Sequence, residues 1–260
     1  MEYGKGIDLS RYQWLCYPAA HPQAFRIDPT KPAVDFNKIK AAGVLFAWVR
    51  ATTIDGGVDY AFEENWAGLK SVGISRGAYG FANAKDPVGY AERMYKIVSA
   101  TGDLGELPPA LDFECRYISA TKSYIGKMSW QECRIWLLHA EALFQKRPII
   151  YTSMSMWFTP SPAWTSEYEL WVASYAAIGN QPKYMPKGWN TWRVWQQGTP
   201  AIGESMGVKS KEIDVDVYNG DEYAFNKWAG FKHIQTLEER VFALELAVFG
   251  KDGKIDGYRD

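Results

Sequence analysis

Cysteine and histidine are scarce in this 260-residue chain, with three of each, and the shortage removes several kinds of chemistry at once. Cys16, Cys115 and Cys133 are an odd set without C-x-x-C spacing, so neither a zinc site nor a disulfide framework is read from them; free buried thiols are expected, with one Cys115–Cys133 bridge as the alternative. His21, His139 and His233 lie far apart and match no ligand motif, so no metal and no cofactor are expected, and His139, within a helical run, reads as a packing residue. Charge of one sign is also lacking. Lys and Arg number 29 against 30 Asp and Glu, with no basic block, which argues against nucleic acid or an anionic membrane as a partner. No apolar run is long enough to span a bilayer, and no basic-then-apolar leader precedes Gly6, so a signal peptide is not expected.

What is present is apolar and aromatic. At 47% apolar residues the chain has the material for one large core. Twelve Trp exceed what such a core needs, and flat rings are what sugar faces stack against.

Short β-branched and aromatic runs recur at Gly6–Ser10, Leu45–Ala51, Arg76–Phe81, Pro109–Glu114, Pro148–Thr152, Glu169–Tyr175, Trp192–Gln196 and Ile213–Tyr218. Between the early ones lie amphipathic stretches, Asp35–Ala42, Tyr60–Val72, Asp86–Ala100 and Ser129–Gln145, with apolar residues at three- and four-residue intervals. Strand–helix–strand alternation implies parallel pairing, and eight parallel strands in this length point to a closed TIM-like α/β barrel with its site at the carboxyl ends of the strands. The stretches 176–191 and 198–211 are too rich in Gly, Pro, Lys and Ser for covering helices, so the last strands are expected to be joined by loops. An open doubly wound sheet is the alternative, weakened by the lack of a Gly-rich phosphate loop after the first strand. The barrel is expected to occupy residues 1–229. Residues 230–260 turn charged and helical, with Ile234, Leu237, Val241, Leu244 and Val248 on a short heptad seam that suits either a capping helix or self-association.

The sharpest feature is Leu111-Asp112-Phe113-Glu114 at the end of an apolar strand. Residues two apart on a strand share a face, which places both carboxyls inward at the barrel rim. Repulsion and lost hydration would then split their protonation, one acid and one anion, which is the requirement of glycosidic cleavage. Asp8 ends the first strand and Asp214 sits in the last; closure of the barrel would bring both to the same rim, with Asp216 pointing the same way nearer the strand exit. Arg50 is placed to neutralise part of this cluster or to form a structural ion pair, while Tyr79, Tyr151, Tyr175, Trp195 and Gln196 end strands where a sugar groove would run.

These residues resemble a known family, the GH25 lysozymes, N-acetylmuramidases of the Chalaropsis type. The resemblance runs in order through Gly6-Ile7-Asp8-Leu9-Ser10-Arg11-Tyr12-Gln13, Trp48-Val49-Arg50-Ala51-Thr52, Gly77-Ala78-Tyr79-Gly80-Phe81, Leu111-Asp112-Phe113-Glu114, Ile150-Tyr151-Thr152, Leu170 to Tyr175, Trp195-Gln196 and Ile213-Asp214. It implies a modified barrel, (β/α)5(β)3, with about five helices. It also implies hydrolysis, with retention, of the β-1,4 bond between N-acetylmuramic acid and N-acetylglucosamine in bacterial peptidoglycan. Glu114 would be the general acid, Asp112 its partner as nucleophile or as the group orienting the substrate acetamide, and Asp8 and Asp214 flanking acids. A family member without a leader would reach the wall by secretion or, like a phage endolysin, through a holin-like pore. A glycan-binding or phage structural module and a chitin-type hydrolase are the competing readings. Two positions depart from the family pattern. Gly80 stands where many relatives carry a polar or ring residue, implying a missing groove contact, and Trp14–Pro32 is long for a first loop at the catalytic rim.

Overall fold

The computed structural model describes residues 3–14, 34–81, 83–114, 116–119, 121–125, 128–153 and 161–230. Nearly all of the long first loop and the heptad segment 234–248 lie outside the described residues, as do Cys16 and Cys115; Cys133 is a free, buried thiol.

In chain order the strands are β1 (Gly4–Leu9), β2 (Phe46–Thr52), β3 (Ser75–Phe81), β4 (Ala110–Asp112), a hairpin of β5 (Arg116–Ile118) and β6 (Ser123–Ile125), β7 (Ile149–Ser153), β8 (Leu170–Ala173), a second hairpin of β9 (Ala177–Ile178) and β10 (Gln181–Pro182), β11 (Val194–Gly198) and β12 (Asp214–Tyr218). Eight of them close into a barrel in the order β1-β12-β11-β8-β7-β4-β3-β2. The helices among the described residues are α1 (Phe36–Ala41), α2 (Phe62–Ser71), α3 (Pro87–Ser99), α4 (Trp130–Phe144) and α5 (Glu222–Trp228). Their starts follow from local chemistry. Asp35, Asp86 and Asp221 cap α1, α3 and α5 by accepting backbone N–H bonds, and Ser129 and Glu132 close a capping box on α4. The barrel, the five helices and the loop-joined final strands agree with the sequence expectation. No helix among the described residues is long and apolar enough to cross a membrane.

One expectation is corrected. Seven strands run parallel, but β12 is antiparallel to both β1 and β11. The segment between Gly198 and Asp214 stays at the rim, where Val208 bridges to Val34 and the Lys209 N–H reaches Gln13 O, and the chain descends from there. The reversal sets Asp214 opposite Asp8 at the upper rim and sends Asp216 one layer down, opposite Gly6, rather than toward an exit. It also delivers α5 to the lower mouth, where the Phe225 ring stacks on Phe46 at 5.1 Å and Trp228 lies 6.4 Å from Trp48.

The pleat sorts the strands into two sets of side chains. Outward-facing Ile7, Leu9, Val49, Leu111 and Ile150 pack beneath the helices with Phe62, Trp66, Met94 and Trp136. Inward-facing Phe46, Trp48, Ala110, Ile149, Trp171 and Tyr218 fill the lower barrel. Trp48 and Trp171 meet at 4.9 Å and form an aromatic floor under the rim. That floor needs glycine opposite it: a Cβ on Gly6 would overlap the Phe46 ring, and one on Gly77 would overlap the Trp48 indole. Gly80 is similarly constrained but on the other face, where a Cβ would overlap Thr52 and press on Met94 of α3. Its side of the strand is not the groove, so this departure from the family pattern costs no groove contact.

Gly6→Ala is therefore expected to destabilise the fold by about 1–3 kcal/mol through overpacking. Chemical denaturation with the slope held constant measures this, and an unchanged midpoint would contradict the layered packing.

Candidate active site

Above the aromatic floor, the upper ends of the strands enclose a cleft of about 230 Å³. Asp8, Arg50, Tyr79, Asp112, Glu114, Tyr151, Tyr175, Gln196 and Asp214 all line it. Of the ten residues expected at the site from sequence, nine are thus brought together. Trp195 is the exception. The pleat that turns Gln196 inward turns Trp195 to the outer wall, where it packs with Val172, Trp192 and Val217 and donates its indole N–H to Ser174 O at 2.7 Å.

Asp112 ends β4 and is buried; Phe113 continues the pairing through its N–H to Tyr151 O and faces the helices, so Glu114 returns to the cleft. The two carboxyls share one face of one strand end, as the D-x-E spacing requires. Gln196 links three elements: its Nε2 donates to Asp8 Oδ2 at 2.7 Å, while its Oε1 accepts from the hydroxyls of Tyr151 at 2.9 Å and Tyr175 at 3.2 Å. With both ends of the amide engaged, Gln196 positions Asp8 rather than waiting for a ligand. Tyr175 keeps 66% of its surface exposed, so its ring stays open at the cleft edge although its hydroxyl is tethered.

Arg50 forms an ion pair with a partner the sequence did not suggest, and its charge also acts on the cluster. Its Nε donates to Asp59 Oδ2 at 2.6 Å, both side chains being buried, and its guanidinium lies 4.8 Å from the Tyr12 ring centroid. Asp59 also accepts the backbone N–H groups of Arg11 and Ala61. Four further residues line the cleft that sequence reasoning missed as site residues, Ser10, Tyr12, Phe81 and Trp171, and of these Tyr12 and Trp171 bring the larger ring surfaces. Both lay within quoted motifs, and the inward register of Leu170-Trp171-Val172 was the available signal. His139 is no core residue: its ring nitrogen meets Glu92 on the surface at 3.3 Å.

Burial dominates the electrostatics, and it pushes every carboxyl of the cluster upward. Asp112 is driven well above the carboxylate range by burial, then by the charges of Glu114 and Asp8, with Arg50 opposing. Glu114 is pushed up to about 7 by burial and then by Asp8, again against Arg50. Asp214 rises to about 9 through burial and the charges of Asp8, Glu114 and Glu212. Asp8 rises least, to about 6, because burial there is offset first by the Gln196 N–H it accepts, then by the Arg50 charge and by the neighbouring side chains of Asp216 and Tyr79. The split expected from sequence lay between Asp112 and Glu114; both are instead pushed upward, and of the four rim carboxyls Asp8 is raised least. No group of His, Cys, Asp and Glu among the described residues is arranged to hold a metal ion.

Desolvated carboxyls at the upper mouth of a barrel, one balanced near neutrality beside another held as an anion, are the equipment of a glycoside hydrolase. The chain belongs to the glycosyl hydrolases family 25, whose sequence model matches residues 30–200. That span contains Asp112 and Glu114, while Asp8 and Asp214 fall outside it. Among curated relatives, Lysozyme M1 of Streptomyces globisporus is 29% identical over 208 residues, which cover 76% of this chain and 68% of the relative. Among solved structures, the muramidase of Trichobolus zukalii superposes with a TM-score of 0.64 at 21% identity, covering 87% of this chain and 98% of that one. A bacterial lysozyme from Streptomyces coelicolor gives 0.62 at 24% identity, covering 88% and 97%. At these identities the structural likenesses speak for the fold.

The raised carboxyls carry a consequence for stability. Unfolded, Asp214 loses its proton near the ordinary 3.8; folded, it holds the proton to about 9. Between those values the unfolded state binds fewer protons, so stability is full below about pH 4 and falls as pH rises toward 9. Asp214→Asn is expected to flatten this decline. Denaturation midpoints from pH 4 to pH 9 measure it; a wild-type curve that rises over that window would contradict the assignment.

Proposed function

We propose that this chain is a lysozyme of the N-acetylmuramidase kind, cleaving the β-1,4 bond between N-acetylmuramic acid and N-acetylglucosamine of peptidoglycan with retention, at the bacterial cell wall. The observation that carries the reading is the gathering of Asp8, Asp112, Glu114 and Asp214 in one cleft at the strand ends, and it is supported by Glu114 holding its proton to about 7 and Asp8 releasing its own near 6. Between these values the site presents one proton donor and one anion. Glu114 protonates the leaving glycosidic oxygen as the bond to the anomeric carbon breaks, and Asp8 faces the positive charge that develops there. Burial and the charges of Glu114 and Asp8 push Asp112 toward its neutral form, which disfavours it as a nucleophile and suits it to binding the acetamido group of the substrate. That group's carbonyl oxygen then closes on the anomeric carbon. Water, deprotonated by the Glu114 carboxylate, opens the intermediate on the same face and returns the proton. The open ring of Tyr175 at the cleft edge supplies a stacking surface for a neighbouring sugar.

Substituting Glu114→Gln is expected to lower wall hydrolysis by about 10²- to 10⁴-fold, the usual contribution of general acid–base catalysis, while leaving the fold and wall binding in place. Wild-type activity should peak between about pH 6 and 7. Mass spectrometry of the released fragments should find muramic acid at the new reducing ends. Undiminished lysis by the variant overturns the catalytic assignment, and N-acetylglucosamine at the reducing ends replaces the muramidase reading with a chitin-type one.

A further inference from the structure

Asp216 has no place in the chemistry above, yet it is the most completely buried acid of the barrel, at 0% exposure. It lies one layer beneath the catalytic rim. On β12 it pairs with Gly6 of β1 and with Gln196 of β11, and the pleat that points Asp8 and Gln196 inward does the same for Asp216. Its Oδ1 accepts the Trp171 indole N–H at 2.7 Å. Its Oδ2 is fully enclosed, and no N–H or hydroxyl donates to it. Among the groups that act on it most strongly are the carboxyls of Asp8 and Asp214.

An ionised carboxylate in that position would have one hydrogen bond and two acidic neighbours, which is a costly arrangement for a buried charge. A neutral carboxylic acid fits instead. It keeps one oxygen as acceptor for Trp171 and turns its own O–H into a donor, and Asp8 lies within hydrogen-bonding reach.

We infer that Asp216 is a positioning residue: a permanently neutral acid whose proton is donated to Asp8, so that Asp8 rests as a carboxylate on three donors, the Gln196 amide, the Tyr79 hydroxyl and Asp216. The floor of the site thereby chooses which rim acid carries the charge. The assignment rests on the hydrolase reading for its functional meaning, though not for its geometry. An asparagine would reproduce it, presenting a carbonyl to Trp171 and an N–H to Asp8.

The groups facing Asp8 are Arg50 from β2, Tyr79 from β3, Asp112 and Glu114 from the end of β4, Tyr151 from β7, Tyr175 just after β8 and Asp214 from β12. All are retained in the variants that test the inference, Asp216→Asn and Asp216→Leu. Carboxyl carbon-13 NMR on aspartate-labelled protein follows Asp8 directly, with its signal assigned by Asp8→Asn. With Asp216 a neutral donor, the Asp8 midpoint stays in place in Asp216→Asn and moves up by about one pH unit in Asp216→Leu, since a hydrogen bond to a charged acceptor is lost. The acid limb of the pH–rate profile moves with it. An ionised Asp216 predicts the opposite sign, both variants lowering the Asp8 midpoint because a neighbouring negative charge is removed. Either that result, or a wild-type Asp216 signal that titrates below neutrality, overturns the inference. The latter measurement needs neither variant to fold. Because the NMR midpoints do not depend on turnover, failure of the hydrolase reading and failure of this one are told apart.

Discussion

Too many acids share too little water at the upper mouth of this barrel, and the rest of the site is arranged around that constraint. Asp8, Asp112, Glu114 and Asp214 line one cleft, with Asp216 enclosed below them. The cation that faces them, Arg50, already shares its charge with Asp59. Removing a carboxylate from water costs several kcal/mol unless partners replace the hydration. The cluster therefore keeps protons, and hydrogen-bond donors decide where the remaining negative charge rests. Gln196, Tyr79 and Asp216 all direct it to Asp8. Glu114, with less such support, sits near the point where a proton can be given and taken back.

The arrangement depends on a topological detail. A parallel eighth strand would have set Asp214 at the lower end, and the rim would have lost one of its acids. The antiparallel descent of β12 instead pairs Asp214 with Asp8 and stacks Asp216 beneath. The same reversal carries the chain to the lower mouth, where Phe225 and Trp228 close the barrel. Active-site electrostatics and barrel closure thus both follow from the direction of one strand.

Much of this was legible in the residues themselves. The alternation of apolar runs located all eight barrel strands, and the D-x-E spacing put two carboxyls on one face, because both signals rest on local pleat geometry. What escaped was set by tertiary packing. The loop after Gly198 was recognised as irregular, but its effect on strand direction was not drawn, so Asp216 was placed toward an exit when it lies in the floor. Trp195 was assigned to the groove although Gln196, its neighbour, was too; adjacent strand residues face opposite ways, and only one of them could be there. Asp59 lay outside any strand, and its pairing with Arg50 depends on the turn that follows β2. The identity of the ionised acid could not be read from spacing at all, since it depends on donors contributed by β3, β11 and β12.

Neutron diffraction from a deuterium-exchanged crystal, at a pH between about 6 and 7, locates these protons most directly. The account predicts deuterons on Asp112, Glu114, Asp214 and Asp216 and a bare carboxylate at Asp8. A deuteron on Asp8 beside an ionised Asp112 would contradict it.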